Sequence, residues 1–168
     1  MNNQIETYAN ITNFPNYQVS TFGNVKNIKT GRILKGTAID TGYFIVVLID
    51  DGERSTKKVH KLVANAFLQN PEEKRCVDHI DRCKTNNHLS NLRYATSTEN
   101  AQNKSMQSTN TSGVIGVSFH KQSNNWRARI NVNGVPKCLG YFSNKDDAIT
   151  ARTTAEILHF GAFRAIIA

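Results

Sequence analysis

Apolar positions change their spacing several times along this chain, and each change marks an element. In "YQVSTFGNVKNI" (17–28), Tyr17 and Val19 precede a turn at Phe22-Gly23-Asn24, and Val25 and Ile28 follow it. Alternation on both sides of a glycine turn predicts a hairpin. "GRILKG" (31–36) reads as a short strand. "GYFIVVLID" (42–50) reads as a longer one, rich in aromatic and β-branched residues. An Asp50-Asp51-Gly52 turn followed by "STKKV" predicts a second hairpin. Then the period shifts. Val59, Leu62, Val63, Ala66 and Phe67 recur at three and four, which predicts an amphipathic helix ending before Pro71.

Residues 77–100, "VDHIDRCKTNNHLSNLRYATSTEN", hold two His, two Asp and four Asn, yet Val77, Ile80, Leu89, Leu92 and Tyr94 punctuate them. A core tolerates that many imidazoles and amides only when each has a partner. Strands are expected at "VDHI" and "NLRYAT", with a short helix after them. Thr96 and Glu99 have capping-box spacing, and Asn100 falls in the first turn.

Residues 101–113 are polar and read as a linker. Beyond them, "VIGVSFHK", "NWRARINV" and "PKCLGYF" read as three strands and are followed by a helix. Ser143 is the expected N-cap, with Asp146 three residues on and Gly161 as the stop. Ala148, Ala151, Ala155 and Leu158 line one helix face. In the middle strand, Trp126, Ala128 and Ile130 share one face; Arg127, Arg129 and Asn131 share the other. Val117 and Phe119 are expected inside, with Ser118 and His120 on the basic face.

Composition adds a partner. The chain has 168 residues, 39% hydrophobic content and a net charge of +8. Its pI is near 9.6, so a polyanion is the first partner to consider. Residues 71–100 carry five basic and five acidic side chains, so the excess lies on both sides of the polar centre. Cys76, Cys83 and Cys138 form no pair at metal-ligand spacing. They read as free thiols of an intracellular protein, in host cytoplasm or nucleus, with no structural zinc expected. There is no run long enough for a membrane helix, and the N-terminus does not have the pattern of a signal peptide.

The centre suits phosphodiester chemistry. That reaction needs a base to activate water and a divalent cation to stabilise charge on the phosphate and leaving oxygen. Asp and Asn offer hard oxygen ligands suited to Mg²⁺ or Mn²⁺, and an unliganded His suits the base. His79 to Asn91 spans twelve residues and Asn91 to Asn100 nine. With "DH", "NLR" and "EN" at these spacings, the segment resembles the HNH endonucleases, in the branch of phage intron-encoded homing enzymes. "VHKLVANAF" is similar to the helix that leads into that motif.

The resemblance implies a ββα-metal core and one divalent ion. Asp78 and Asn100 would be metal ligands, His79 the general base, and Asn91 the residue that holds the loop and orients His79. Arg82-Cys83 stands where the family usually has Gly-Asn. Arg93 is a candidate phosphate contact, His60 a packed residue ahead of the motif, and His88 a loop residue.

Residues 116–161 resemble the APETALA2-type DNA-binding domain through "GVSFHKQSNNWRARINV" and "LGYF" before an Ala-rich helix. Ile115, Ser118 and Cys138 depart from the plant pattern, so the plant target sequence does not carry over. Arg127, Arg129, Asn131, His120, Ser118 and Lys137 are the expected DNA contacts. "FPNYQVSTFGNVKNI" is similar to a nuclease-associated modular domain covering about residues 8–48.

The expectation is therefore an α+β chain in four parts. Residues 1–58 form a β-rich module and 59–104 the ββα-metal core. Residues 105–112 are a linker, and 113–168 a three-stranded antiparallel sheet packed on one helix. The expected activity is metal-dependent cleavage of double-stranded DNA by a monomer or weak dimer, in a homing-type enzyme of a virus, phage or mobile element. The alternative is a DNA-binding regulator with an inactive core.

Overall fold

Two-residue turns organise the strands. In the computed structural model, which describes residues 5–165, Asp51 and Gly52 both take positive φ, 46° and 83°. They close a hairpin whose last pair is Asp50 opposite Glu53. Asn133 and Gly134, at 53° and 83°, do the same between Val132 and Val135. Positive φ at both turn positions matches the twist of the flanking strands, which is why Asp-Gly and Asn-Gly occupy them. All the sheets are antiparallel.

The chain divides into two units, Met1–Thr96 and Ser97–Ala168. The first opens with β1 (Tyr8–Ile11), β2 (Phe14–Ser20) and β3 (Val25–Asn27), paired in that order. A second sheet contains β4 (Thr37–Ala38), β5 (Phe44–Asp50) and β6 (Glu53–Lys58). β6 runs directly into α1 (Val59–Phe67). β7 (Cys76–His79) and β8 (Leu92–Ala95) form a two-stranded sheet. Val19, Val25, Leu48, Val59 and Val63 are fully buried, and Val46, Leu62, Val77 and Leu92 join them in one core. The 3.6-residue period of α1 is thus used to seat it against both β-rich pieces.

The short strand expected over 31–36 is reduced to an isolated bridge between Ile33 and Lys26. Glycines bound this stretch, and glycine weakens strand pairing. Gly36 is also crowded: a Cβ there would lie 2.2 Å from the Phe44 ring.

The second unit holds α2 (Ser97–Gln102), β9 (Val117–His120), β10 (Asn125–Val132), β11 (Val135–Phe142) and α3 (Lys145–Phe160). Its sheet runs β11-β10-β9, and α3 covers one face. Val117, Ala128 and Ile130 pack with Ala148, Ala155 and Phe160.

Several expectations are corrected here. The N-cap of α3 is Asn144, not Ser143: the Asn144 Oδ1 accepts from the Asp146 N–H at 2.8 Å. Leu158 is 76% exposed; Arg152 and Phe160 complete the covered face instead. Phe119 is 47% exposed, with its ring edge-on to Trp126 at 5.3 Å. The expected linker, residues 105–112, carries defined turns. Asn110 Nδ2 donates to Val114 O at 3.0 Å, and buried Ser112 Oγ donates to Val117 O at 2.7 Å. Among the described residues no helix is long and apolar enough to cross a membrane.

Candidate active site

β7 carries Asp78 and His79 to the end of the small sheet, and both are buried. Antiparallel pairing sets Asp78 opposite Arg93 and His79 opposite Leu92. Directly opposed residues point to the same face. Arg93 Nε and Nη2 accordingly both reach Asp78 Oδ2, at 2.9 and 2.6 Å. Arg93, a candidate for either a phosphate contact or a salt bridge, is here the cross-strand partner of the candidate ligand.

His79 Nε2 lies 3.3 Å from Asn87 Oδ1. Asn87 Nδ2 donates to Thr85 O at 3.1 Å, which turns the amide oxygen toward the ring. An amide oxygen can only accept, so Nε2 carries the proton and Nδ1 holds the lone pair. Burial pushes the His79 pKa below its ordinary value, against opposing contributions from Asn87, Asp81 and Asp78. Burial thus favours the neutral form of this ring.

Asn91 sits in a 3₁₀ turn, Leu89–Asn91, just before β8 rather than on the strand. There it laces the loop together. Its Oδ1 accepts from Asp81 N–H at 2.9 Å, and its Nδ2 donates to Asp81 Oδ1 and to Asn86 O, both at 2.8 Å. Its carbonyl accepts from Ile80 N–H at 2.9 Å. Asn91 thus holds the loop, whereas Asn87, which sequence reasoning missed, touches the base. Asp81 ties the same loop through Cys83 N–H at 2.7 Å and Asn86 Nδ2 at 2.6 Å. Burial works to raise the Asp81 pKa, but hydrogen bonds from Asn86, Cys83 and Asn91 outweigh it and lower the value. His88 caps the 3₁₀ turn, its Nδ1 accepting from Ser90 N–H at 3.2 Å.

Two more pieces of the first unit close around this centre. The His60 ring, on α1, stands edge-on to the His79 ring at 4.9 Å, and the Tyr43 ring packs on His60 at 4.8 Å. Burial, His79, Lys58 and Lys61 push the His60 pKa down to about 3. The turn after β2 supports the loop from the other side. Leu89 N–H donates to Thr21 O at 2.7 Å, and Phe22 stacks on His88 at 4.8 Å. Gly23, at φ +85°, abuts Asn87: a Cβ there would stand 2.8 Å from the Asn87 Cβ. Asn100 lies half-buried in α2, within the second unit. Among the described residues no three His, Cys, Asp or Glu side chains gather as a metal cluster.

In the second unit, β-register sorts the other candidates. Arg127 lies between Ser118 and Tyr141, and His120 pairs with Asn125 and packs its ring edge-on to Tyr141 at 5.3 Å. Arg129 and Asn131 are exposed on that same alternate face. Lys137 is not with them. Counted back from the Asn133-Gly134 turn, where Val132 pairs with Val135, Lys137 falls opposite Ile130, in register with the helix-covered side.

These features have counterparts in known proteins. Residues 57–102 match the family model described as HNH endonuclease, and residues 6–49 match the NUMOD4 motif. The HNH segment contains every candidate discussed above from Asp78 to Asn100. The DNA endonuclease I-HmuI of Bacillus phage SP01 is 40% identical over 106 residues, which is 63% of this chain and 58% of that one. An uncharacterized HNH endonuclease of Acanthamoeba polyphaga mimivirus is 45% identical over 95 residues, 55% of this chain and 24% of that one. The chain thus spans between a quarter and three-fifths of these relatives' own length. A solved structure described as "DNA binding and cleavage by the HNH homing endonuclease I-HmuI" superposes with a TM-score of 0.56 at 29% identity. That match covers 90% of this chain and 89% of the other.

Proposed function

We propose that this chain is a metal-dependent DNA endonuclease of the homing type. The observation that carries the reading is His79, a buried neutral imidazole with Nε2–H held by Asn87, next in sequence to the buried carboxylate of Asp78. In this role His79 Nδ1 takes the proton of the attacking water. Asn87 fixes the tautomer, and Asn91 keeps the loop that presents Asn87 in place. The donor chemistry suits a hard cation, since Asp78 offers a carboxylate and Asn100 an amide oxygen. Asp78 and Asn100 would hold Mg²⁺ or Mn²⁺, and that ion supplies charge stabilisation on the phosphate and the leaving oxygen.

Double-stranded DNA is the partner in this reading. The second unit would grip it through the sheet face of Ser118, His120, Arg127, Arg129 and Asn131, in the manner of an APETALA2-type domain. What supports this is the exposure of Arg129 and Asn131 and the pairing of Arg127 with Ser118 on one uncovered face. Lys137, on the other register, drops out of the contact set.

A second reading has one observation in its favour. Arg93 sits on the oxygen of the proposed ligand Asp78, as it would in a core retained as scaffold in a DNA-binding regulator. A supercoiled-plasmid assay separates the two. Wild type and His79→Ala are incubated with Mg²⁺, Mn²⁺ or chelator. The endonuclease reading expects open-circle or linear product from wild type with metal alone. Intact plasmid in every lane, with duplex binding retained, replaces it with the regulator.

A further inference from the structure

Two ammonium groups share one ring beside the candidate base. Lys58 Nζ lies 4.4 Å and Lys84 Nζ 4.9 Å from the centroid of Tyr43, whose ring is 6.1 Å from that of His79. Neither lysine has a carboxylate partner among the described residues. Like charges gathered around one ring repel, and an anion beside them relieves that repulsion.

The gathering is built rather than incidental. Lys84 Nζ donates to Thr41 O at 2.8 Å, which ties it to the chain that leads into Tyr43. Gly42, at φ +83°, lets the lysine stem pass: a Cβ there would lie 3.3 Å from Lys84 Cδ. Lys58 is set by sheet pairing with Ile45 and is the N-cap residue of α1. No side chain caps that helix, and its first turn holds no acidic residue. Its positive end therefore adds to the two ammoniums. Within the same turn, buried His60 leaves Nδ1 without a partner. Lys58 is also among the charges that depress His60, and Lys84 among those that depress His79, so the field of the pair reaches both rings.

On the endonuclease reading given above, we propose that Lys58 and Lys84, set on Tyr43, form a subsite for a nucleic-acid phosphate flanking the bond presented to His79. The subsite positions the strand; it does not take part in proton transfer. An ammonium suits this task because it engages phosphate as a compact point charge.

The test uses the full chain and a short duplex of fixed sequence in chelator, so that nothing is cut. Affinity is measured over a range of salt for wild type, Lys58→Gln, Lys84→Gln, the double variant, and Lys29→Gln, which removes an equal charge from an exposed turn. Removing one ammonium from a phosphate should lower the slope of log K against log salt by about 0.9. The subsite requires that decrease for Lys58→Gln and for Lys84→Gln, about twice that in the double variant, and none for Lys29→Gln. Equal slopes in all five proteins, or a decrease for Lys29→Gln matching the others, overturns it. Plasmid nicking by the same preparations keeps the two proposals apart. A wild type that binds with the expected slope differences but never nicks sinks the endonuclease and leaves the phosphate subsite. A wild type that nicks while all slopes agree sinks the subsite alone.

Discussion

Asn87 is the side chain through which the loop reaches the base. Removing it leaves His79 Nε2 without its acceptor, and the ring is free to adopt the other tautomer. Asn87→Ala should slow plasmid nicking at least about tenfold, approaching but not reaching the ~10²–10⁴-fold loss expected for His79→Ala. Initial rates at saturating metal measure both. Spacing was enough to single out Asp78, His79 and Asn91 as candidates, and the structure gathers them at one end of the small sheet. Asn87 was not legible: its role exists only because the loop folds back onto the ring. His60 touches the same ring from a helix nineteen residues earlier in the chain.

That contact has a pH signature. His60 has a folded pKa of about 3 against an ordinary 6.5, so the unfolded chain binds the proton first. Stability from the neutral ring is complete above pH 6.5 and is lost as the pH falls toward 3. His60→Phe keeps an aromatic ring against Tyr43 and removes the titration, so its melting temperature should vary less between pH 7 and pH 4 than that of wild type. For His79 the shift has the same sign, so the base form should persist below pH 6.5 and the acid limb of the rate profile should lie under that value.

The hairpins follow from the two turns with positive φ at both positions, and Asp-Gly and Asn-Gly announce them in the sequence. The helices were legible too, since α1 and α3 bury a stripe with a 3.6-residue period. Register was less so. Alternation within β11 does not say which face Lys137 takes; pairing across the turn, Val132 with Val135, sets it opposite Ile130 and off the basic face. The turn between β2 and β3 is the most sensitive connection. Gly23→Ala introduces a left-handed alanine and a contact of 2.8 Å with Asn87. It should cost at least about 1–2 kcal/mol in denaturant unfolding and lower the nicking rate as well. Leu48→Ala, in the centre of β5 and fully buried, should cost about 2–5 kcal/mol and, in the protein that remains folded, leave the rate near wild type. The pair distinguishes damage to the loop from damage to the core.

The whole molecule divides after Thr96, so Asp78 and His79 fall in the first unit and Asn100 in the second. If the second unit supplies grip while the core supplies chemistry, a chain ending at Lys104 should still nick with metal, but with a raised KM and a shallower salt dependence of binding. Loss of nicking with binding intact would place part of the chemistry beyond residue 104. The composition set the idea of such a division, because net charge lies outside residues 71–100. It could not place the boundary: turns from the expected linker belong to the second unit through Asn110 and Ser112. The contact of Gly23 with Asn87 has its own consequence for how such a chain can be assembled from parts. The NUMOD4-matching and HNH-matching segments share one core and meet atom to atom at the loop that holds the base. They cannot be exchanged separately without refitting that junction, so recombination that preserves activity should cross over after residue 104, beyond the HNH-matching segment and Asn100, and carry everything before that point as one heritable block.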